Sequence, residues 1–151
     1  MKNILKKILL IFIIVFISWL FYQNWSKKES VMSGKTNVVT LNFEDINQKV
    51  YLKAKVWGVS GNHKEIVLSE KRSDVTDNNT DYVFYTSEIY YKIESNGNLI
   101  IYAPESSISE PTEKINGIRV ILKGLRHADE INKYKENYRK YGLEKISVYQ
   151  E

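Results

Sequence analysis

The sequence predicts an α+β protein: an N-terminal transmembrane helix, then a β-rich, mostly antiparallel domain (a sandwich or a curled sheet) with one C-terminal amphipathic helix. Three observations predict it. Residues 8–22 are uncharged, apolar and polar residues alternate in several segments between residues 37 and 123, and apolar residues recur at helical spacing between residues 127 and 141. The chain is therefore divided into residues 1–7, an anchor at 8–25, a tether at 26–36 and a domain at 37–151.

The uncharged run, ILLIFIIVFISWLFY, contains one strongly polar side chain, Ser18. A helix that is apolar on all sides lies either in a protein core or in lipid. A run of this length spans roughly 22 Å, so flanking residues must extend it across a hydrocarbon core of about 30 Å. Lysine stems can reach the headgroups on one side, and aromatic rings are typical of the interface on the other. The predicted membrane-interface residues are Lys6, Lys7, Trp19, Tyr22 and Trp25.

A cleaved secretory signal is the main alternative, because a basic start and a short apolar run also fit that pattern. A signal needs small residues at its cleavage site, whereas Trp19, Tyr22 and Trp25 stand there in this chain. A buried core helix would not need lysines on both flanks, and a lipid anchor would need a cysteine, which the chain lacks. The residues therefore favour an uncleaved anchor.

Lysines around the anchor predict its orientation. Three lysines precede the uncharged run, and two follow it beside a glutamate. Positively charged flanks are retained on the cytoplasmic side, so residues 1–7 are expected in the cytoplasm. The domain is then expected outside the cytoplasm, held at the cell membrane by a single span.

The basic charge of the chain is concentrated beside the anchor. Residues 1–28 hold five lysines and no acidic residue, whereas the whole chain has a net charge of +4. The remaining residues have 17 basic and 18 acidic groups, a net charge of −1. A nucleic-acid-binding domain needs a basic face, so we expect no nucleic-acid partner. The absence of cysteine excludes disulfides and thiolate zinc sites.

Strands are predicted from runs of alternating or β-branched residues. The clearest is 49–57, KVYLKAKVW, whose alternation predicts a buried face and a water-facing side that carries Lys53, Lys55 and Trp57. The other predicted strands are 38–43, 65–69, 82–85, 88–94, 99–103, 118–123 and 145–149, with loops at 70–80 and 105–117.

A hairpin is predicted around Asn96-Gly97, because this dipeptide favours a tight turn between two strands. Alternation along the first strand separates its side chains into two sets. The more apolar set is expected in the core, and the other set is expected to face water. The core set is Ile89, Tyr91 and Ile93, and the water-facing set is Tyr90, Lys92 and Glu94.

One helix is predicted over residues 128–141, where an apolar stripe follows helical spacing. Acidic residues near its start and basic residues near its end match the helix dipole. Gly142 is a suitable residue to end it, and Leu143 can pack back against it. We expect the helix to pack across one face or edge of the sheet. The stripe is Ile131, Tyr134, Tyr138 and Tyr141.

The first function hypothesis is a non-enzymatic interaction or accessory domain, tethered to the lipid bilayer and binding a protein partner. Tyrosine is abundant in the domain and is enriched at protein interfaces, although it also favours strands. No cofactor is implied. The residues predicted to contact the partner are Tyr90, Lys92, Tyr102 and Trp57.

Two alternatives stay open. A small envelope enzyme or metal-dependent hydrolase would use His63, Glu65 and His127, although neither an HExxH nor an HxxxH spacing is present. The chain also lacks a GxSxG elbow and cysteine, so nucleophilic catalysis has no recognisable motif. An inhibitor or immunity-type protein is the other alternative, which the sequence does not separate from the first hypothesis.

Overall fold

A computed structural model describes residue 16 and residues 36–58 and 61–149. The chain divides into two units, Met1–Ser33 and Gly34–Glu151. The predicted anchor at 8–25 and its interface residues Lys6, Lys7, Trp19, Tyr22 and Trp25 lie outside the described residues. Within the described part, no helix is long and apolar enough to cross a membrane.

The second unit is β-rich, with one α-helix near its C-terminal end in the described residues. All strands predicted from the sequence are present, and one short strand lies in the predicted loop at 105–117. The elements in chain order are β1 (Thr36–Phe43), β2 (Gln48–Trp57), β3 (His63–Ser69), β4 (Tyr82–Phe84), β5 (Glu88–Ile93), β6 (Leu99–Pro104), β7 (Ile108–Ser109), β8 (Val120–Leu125), α1 (Ala128–Asn137) and β9 (Glu144–Ser147). Short 3-10 helices lie at Glu44–Ile46, Glu105–Ser107 and Tyr138–Tyr141.

The strands form two sheets. Sheet A has the order β1-β2-β3-β4-β7, and sheet B has the order β8-β6-β5-β9. Every pair is antiparallel except β6 with β8, which is parallel. A parallel pair needs a crossover connection, and the segment between β6 and β8 supplies it. The prediction of a mostly antiparallel β-rich domain is therefore confirmed.

One hydrophobic core lies between the sheets, because the alternating apolar residues of both contribute to a single cluster. Sheet A supplies Leu52, Ile66 and Phe84, and sheet B supplies Ile89 and Ile101, all fully buried. Burying a side chain of this size stabilises the fold by roughly 1.5–3 kcal/mol. The core-facing side predicted from the alternation is therefore correct for β2 and for the start of β5.

The hairpin between β5 and β6 turns at Gly97, which has a φ of 79°. A built Cβ at Gly97 would meet nothing within 4 Å, so the requirement for glycine is the positive φ alone. The amide N–H of Gly97 donates to the carbonyl of Glu94 at 2.9 Å, and the amide N–H of Glu94 donates to Asn98 at 2.9 Å. The turn predicted from Asn96-Gly97 is confirmed.

The helix packs on the outer face of sheet B through its tyrosines. The ring of Tyr134 lies 4.9 Å from that of Tyr102, and the ring of Tyr138 lies 5.6 Å from that of Tyr90. Gly142 ends the helical segment in the left-handed conformation with a φ of 64°. The predicted packing of Tyr134 and Tyr138 and the glycine stop are confirmed, whereas Tyr141 is 44% exposed and the α-helix ends at Asn137, before a 3-10 turn.

Two predictions of water-facing residues are wrong. Tyr90 has only 2% of its surface exposed, because the helix covers it. Lys53 is 0% exposed and Lys55 is also buried, because the segment 70–81 covers the outer face of sheet A. Ile93 was predicted in the core and is instead 41% exposed at the end of β5. The assignments of Tyr90, Lys53 and Lys55 failed because each sheet has a cover on the side opposite the core, whereas Ile93 lies where β5 ends at an open cleft.

Candidate functional site

The outer face of sheet A buries two lysine ammonium groups against backbone oxygens of the covering segment. Lys53 Nζ donates to the carbonyl oxygens of Lys71 at 3.2 Å and Ser73 at 2.8 Å. Lys55 Nζ donates to the carbonyl of Asp74. Because a buried charge is costly unless it is hydrogen-bonded, these contacts satisfy both ammonium groups and hold the segment on the sheet.

Carboxylates complete this lysine cluster. Lys55 Nζ lies 3.5 Å from Glu65 Oε1, and it also donates to Thr76 Oγ1 at 2.7 Å. Thr76 Oγ1 in turn donates to Glu65 Oε1 at 3.0 Å. Burial lowers the pKa of Lys53 below its usual 10.5, and the negative charge of Asp81 partly opposes this effect. The polar groups of this cluster hydrogen-bond to one another and to the covering segment, so their role is to hold that segment on sheet A.

The outer face of sheet B is covered by aromatic rings instead. Tyr90 packs against Tyr134 and Tyr138, with ring centroids 6.4 Å and 5.6 Å away. Its hydroxyl donates to Glu88 Oε1 at 2.9 Å. Burial, with this hydrogen bond, raises the pKa of Tyr90 above its usual 10. Tyr90 is therefore a packing residue with a satisfied hydroxyl.

The predicted partner-binding residues do not share one surface. Tyr90, Lys92 and Tyr102 lie on the outer face of sheet B, whereas Trp57 lies on the outer face of sheet A. Lys92 is half-buried with its Nζ 3.9 Å from Glu94 Oε1, and Tyr102 is half-buried against the helix. Trp57 is half-buried and stacked on His63 at a centroid distance of 5.7 Å. A role of these residues in binding stays a prediction.

The residues of the alternative hydrolase have separate structural roles. His63 stacks on Trp57, and Glu65 belongs to the lysine cluster. His127 stands at the start of α1, where the Glu130 carboxylate accepts its backbone N–H. In the part of the chain that the structure describes, no three or more His, Cys, Asp or Glu residues are grouped so as to hold a metal ion.

A cleft lies at the end of the domain where β1 and β5 both finish. The Glu44–Ile46 turn forms one wall, the 94–98 hairpin loop forms another, and Gly117 and Arg119 border it. Its volume is about 350 Å³. A Cβ at Gly117 would lie 3.4 Å from Ile46 Cδ1, and the φ of Gly117 is 74°, so glycine is favoured in this border.

The cleft combines exposed apolar groups with charges. Ile46 and Ile93 are 46% and 41% exposed, although aliphatic side chains of this size are usually buried. Neither Glu44 nor Asp45 makes a side-chain hydrogen bond or ion pair with any other described residue. Exposed apolar groups rimmed by polar residues mark interaction sites in many proteins.

The sequence contained a weak signal for this cleft. Ile46 is an isolated apolar residue in the polar segment EDINQ, between two strands. Ile93 fits the core alternation of its strand, so the sequence assigned it to the core. No local pattern indicates that Ile46 and Ile93, which are 47 residues apart, border the same cleft. Their proximity depends on how the two sheets stack.

Comparisons with protein-family models, with curated proteins and with solved structures found no match to this chain.

Proposed function

We propose that this chain is a single-pass membrane protein, anchored by residues 8–25, whose domain binds a protein partner outside the cytoplasm without catalysing a reaction. The cleft carries this proposal, because it brings exposed isoleucines together with two carboxylates that have no side-chain partner among the described residues. By contrast, the polar groups of the lysine cluster and the hydroxyl of Tyr90 form hydrogen bonds within the domain. A protein surface with an apolar side chain flanked by charged groups is complementary to such a cleft.

The position of the cleft suits a tethered domain. The chain enters the domain at Thr36, the first residue of β1, and the cleft begins at the other end of that strand, at Asn42 and Phe43. Seven steps of about 3.4 Å separate the two ends by roughly 24 Å. A partner can thus reach the cleft without contacting the point of attachment. Confinement to a membrane raises the effective concentration for a partner in the same membrane.

Photo-crosslinking in native membranes tests the binding site. A photoreactive residue at position 46 or 93 should give a crosslinked product with one partner. The matched control is position 75, because Val75 is 75% exposed but lies in the segment that covers sheet A. Ile93→Asp should then reduce the product obtained from position 46, since it places a charge in the apolar part of the cleft. Equal products from positions 46, 93 and 75 would contradict a specific cleft.

Membrane fractionation and a topology reporter test the anchor. The full chain should remain with membranes after carbonate extraction, because the apolar run stays attached. A reporter fused after Glu151 should be active only in its extracytoplasmic form. A soluble mature form beginning near residue 26 would show that the apolar run is a cleaved signal and not an anchor. Reporter activity in the cytoplasm would show that the orientation is the reverse of the proposed one.

If the crosslinked partner is a toxin, the domain is an inhibitor or immunity-type protein. This outcome is a special case of the proposal, because such a protein also acts by binding. A neighbouring gene that encodes a toxin or a membrane complex would indicate which partner to test first.

A further inference from the structure

β1 is an edge strand, and the described residues pair with it only on its β2 side. Its eight residues, TNVVTLNF, contain no charge and no proline. An exposed edge presents unpaired N–H and C=O groups, and proteins usually protect it by charges, proline or short length. β1 has none of these protections.

The other sheet edges of the described domain differ from β1. β7 has two residues and β9 has four, so neither offers a long row of backbone groups. β8 has six residues, includes the exposed Lys123, and is flanked by Arg119 and Arg126. Like charges opposite each other disfavour pairing between two copies of such a strand. Self-pairing is therefore best accommodated by β1.

The charges that flank β1 favour one orientation of such a pair. Lys35 directly precedes the strand in the sequence, and Glu44 and Asp45 directly follow it. Neither of these two carboxylates makes a side-chain hydrogen bond or ion pair with another described residue. Antiparallel pairing of two β1 strands brings the basic start of each copy beside the acidic end of the other. Parallel pairing would bring like charges together.

We propose that two copies of this chain associate through antiparallel pairing of their β1 strands, so that two five-stranded sheets become one continuous sheet. With Thr40 opposite Thr40 of the second copy, Val39 lies opposite Leu41 on the core side. The same register places Asn37 opposite Phe43, close to the two ends of the strand. Each contact occurs twice around the two-fold axis, so the interface is self-complementary.

The association stops at two copies. β1 of each copy is used at the centre of the joined sheet, and the two outer edges are then the two-residue β7 strands. A two-residue strand cannot form an extended ladder with a further copy. This inference concerns a contact between copies through the backbone of β1, and the Glu44 and Asp45 carboxylates that flank this strand also line the cleft.

Cysteine crosslinking of the full chain in membranes tests the contact, since the native chain has no cysteine. Thr40 is exposed, so Thr40→Cys should leave the fold intact. Paired residues of antiparallel strands have Cα atoms about 4.5–5.5 Å apart, within the range that a disulfide bridges. We expect a disulfide-linked dimer from Thr40→Cys and none from Lys123→Cys, the matched control on the β8 edge.

Charge reversal tests the orientation. In the Thr40→Cys background, Glu44→Lys with Asp45→Lys should lower the dimer yield severalfold, because it places like charges beside Lys35. Adding Lys35→Glu should restore the yield, which also shows that the reversed chain still folds. The proposal is overturned if Thr40→Cys gives no dimer, if Lys123→Cys gives as much, or if the reversal has no effect or is not restored. A crosslink from position 40 to a different protein in place of the dimer would likewise overturn it.

Discussion

The outer faces of the two sheets are both covered, but by different physical means. On sheet A, an irregular segment is held by hydrogen bonds from Lys53 and Lys55 to its backbone carbonyls. On sheet B, a helix is held by contacts between tyrosine rings. The first cover buries charged groups and the second buries apolar area. Both exclude water from the outer face of a sheet, but one does so by hydrogen bonding and the other by aromatic packing.

The two covers should respond differently to mutation and to pH. Truncating a packed aromatic side chain lowers the free energy of unfolding, and the loss grows with the buried area removed and with the volume of the cavity that remains. A buried ammonium contributes less net energy, because desolvation offsets most of its hydrogen bonding. We therefore expect truncation to be costlier on sheet B, and pH to act with opposite sign on the two faces.

Tyr90→Ala should have the largest effect, because it removes a ring that is 2% exposed and contacts both Tyr134 and Tyr138. We expect the free energy of unfolding to fall by about 4 kcal/mol. Chemical denaturation of the domain measures this loss. Tyr149→Ala is the control, since Tyr149 is 57% exposed and its removal should change stability little. Equal effects at the two positions would mean that the helix does not cover sheet B.

Lys53→Met should lower the free energy of unfolding by about 2 kcal/mol, because it keeps most of the apolar stem and removes an ammonium with two carbonyl acceptors. Lys49→Met is matched to it, since Lys49 lies on the same face of β2 but is exposed. Limited proteolysis should show faster cutting within 70–81 in Lys53→Met only. A loss in stability without faster cutting would show that the ammonium does not hold this segment.

The pH dependence should separate the two faces. The raised pKa of Tyr90 means that only the unfolded state loses this proton just above pH 10, so stability falls as pH rises there. The lowered pKa of Lys53 has the opposite effect: stability rises with pH below 10.5, because the folded state releases that proton first. Tyr82 and Tyr91, whose pKa values are also raised by burial, add to the loss above pH 10.

Stability curves of single variants measure these contributions. Tyr90→Phe should reduce the alkaline loss by up to about 1.4 kcal/mol per pH unit while keeping the ring contacts. Lys53→Met should remove the rise below pH 10.5. If both variants give the slope of the original chain, the two groups do not titrate as their burial implies.

Thr76→Val should have the smallest effect, a loss of about 1 kcal/mol, because one hydroxyl relays between Lys55 and Glu65 while the side-chain volume is kept. Thr40→Val is the control, because Thr40 is exposed and its hydroxyl makes no hydrogen bond with a described residue. Thermal unfolding at matched pH is the measurement. An unchanged unfolding midpoint would show that the lysine–carbonyl hydrogen bonds hold the covering segment without help from Thr76.

Local patterns predicted most of the fold, for identifiable physical reasons. Alternation in β2 predicts a buried face of Val50, Leu52, Ala54 and Val56; the first three are fully buried, and Val56 is half-buried against the core. The Asn96-Gly97 turn and the Gly142 stop were predictable because each needs a positive φ that glycine adopts easily. These signals are read from neighbouring residues, so they do not require knowledge of the packing.

The covers and the cleft could not be predicted in the same way. The polarity of Lys53 indicated water, whereas carbonyls from a segment some twenty residues later satisfy its ammonium. The apolarity of Ile93 indicated the core, although its strand ends at an open cleft. The polar side of β5 was assigned to solvent from its alternation, whereas a helix further along the chain covers Tyr90 on that side. Each error concerns a contact distant in sequence.

The pairing of β9 with β5 has a consequence for how the domain is made. Tyr91 and Glu144, 53 residues apart, are joined by a hydrogen bond across this pair, and Ile146 of β9 fills the core. A growing chain can form the β5–β6 hairpin early, but sheet B stays incomplete until residues 144–147 have been synthesised. Non-local pairing of this kind slows folding and delays it toward the end of synthesis.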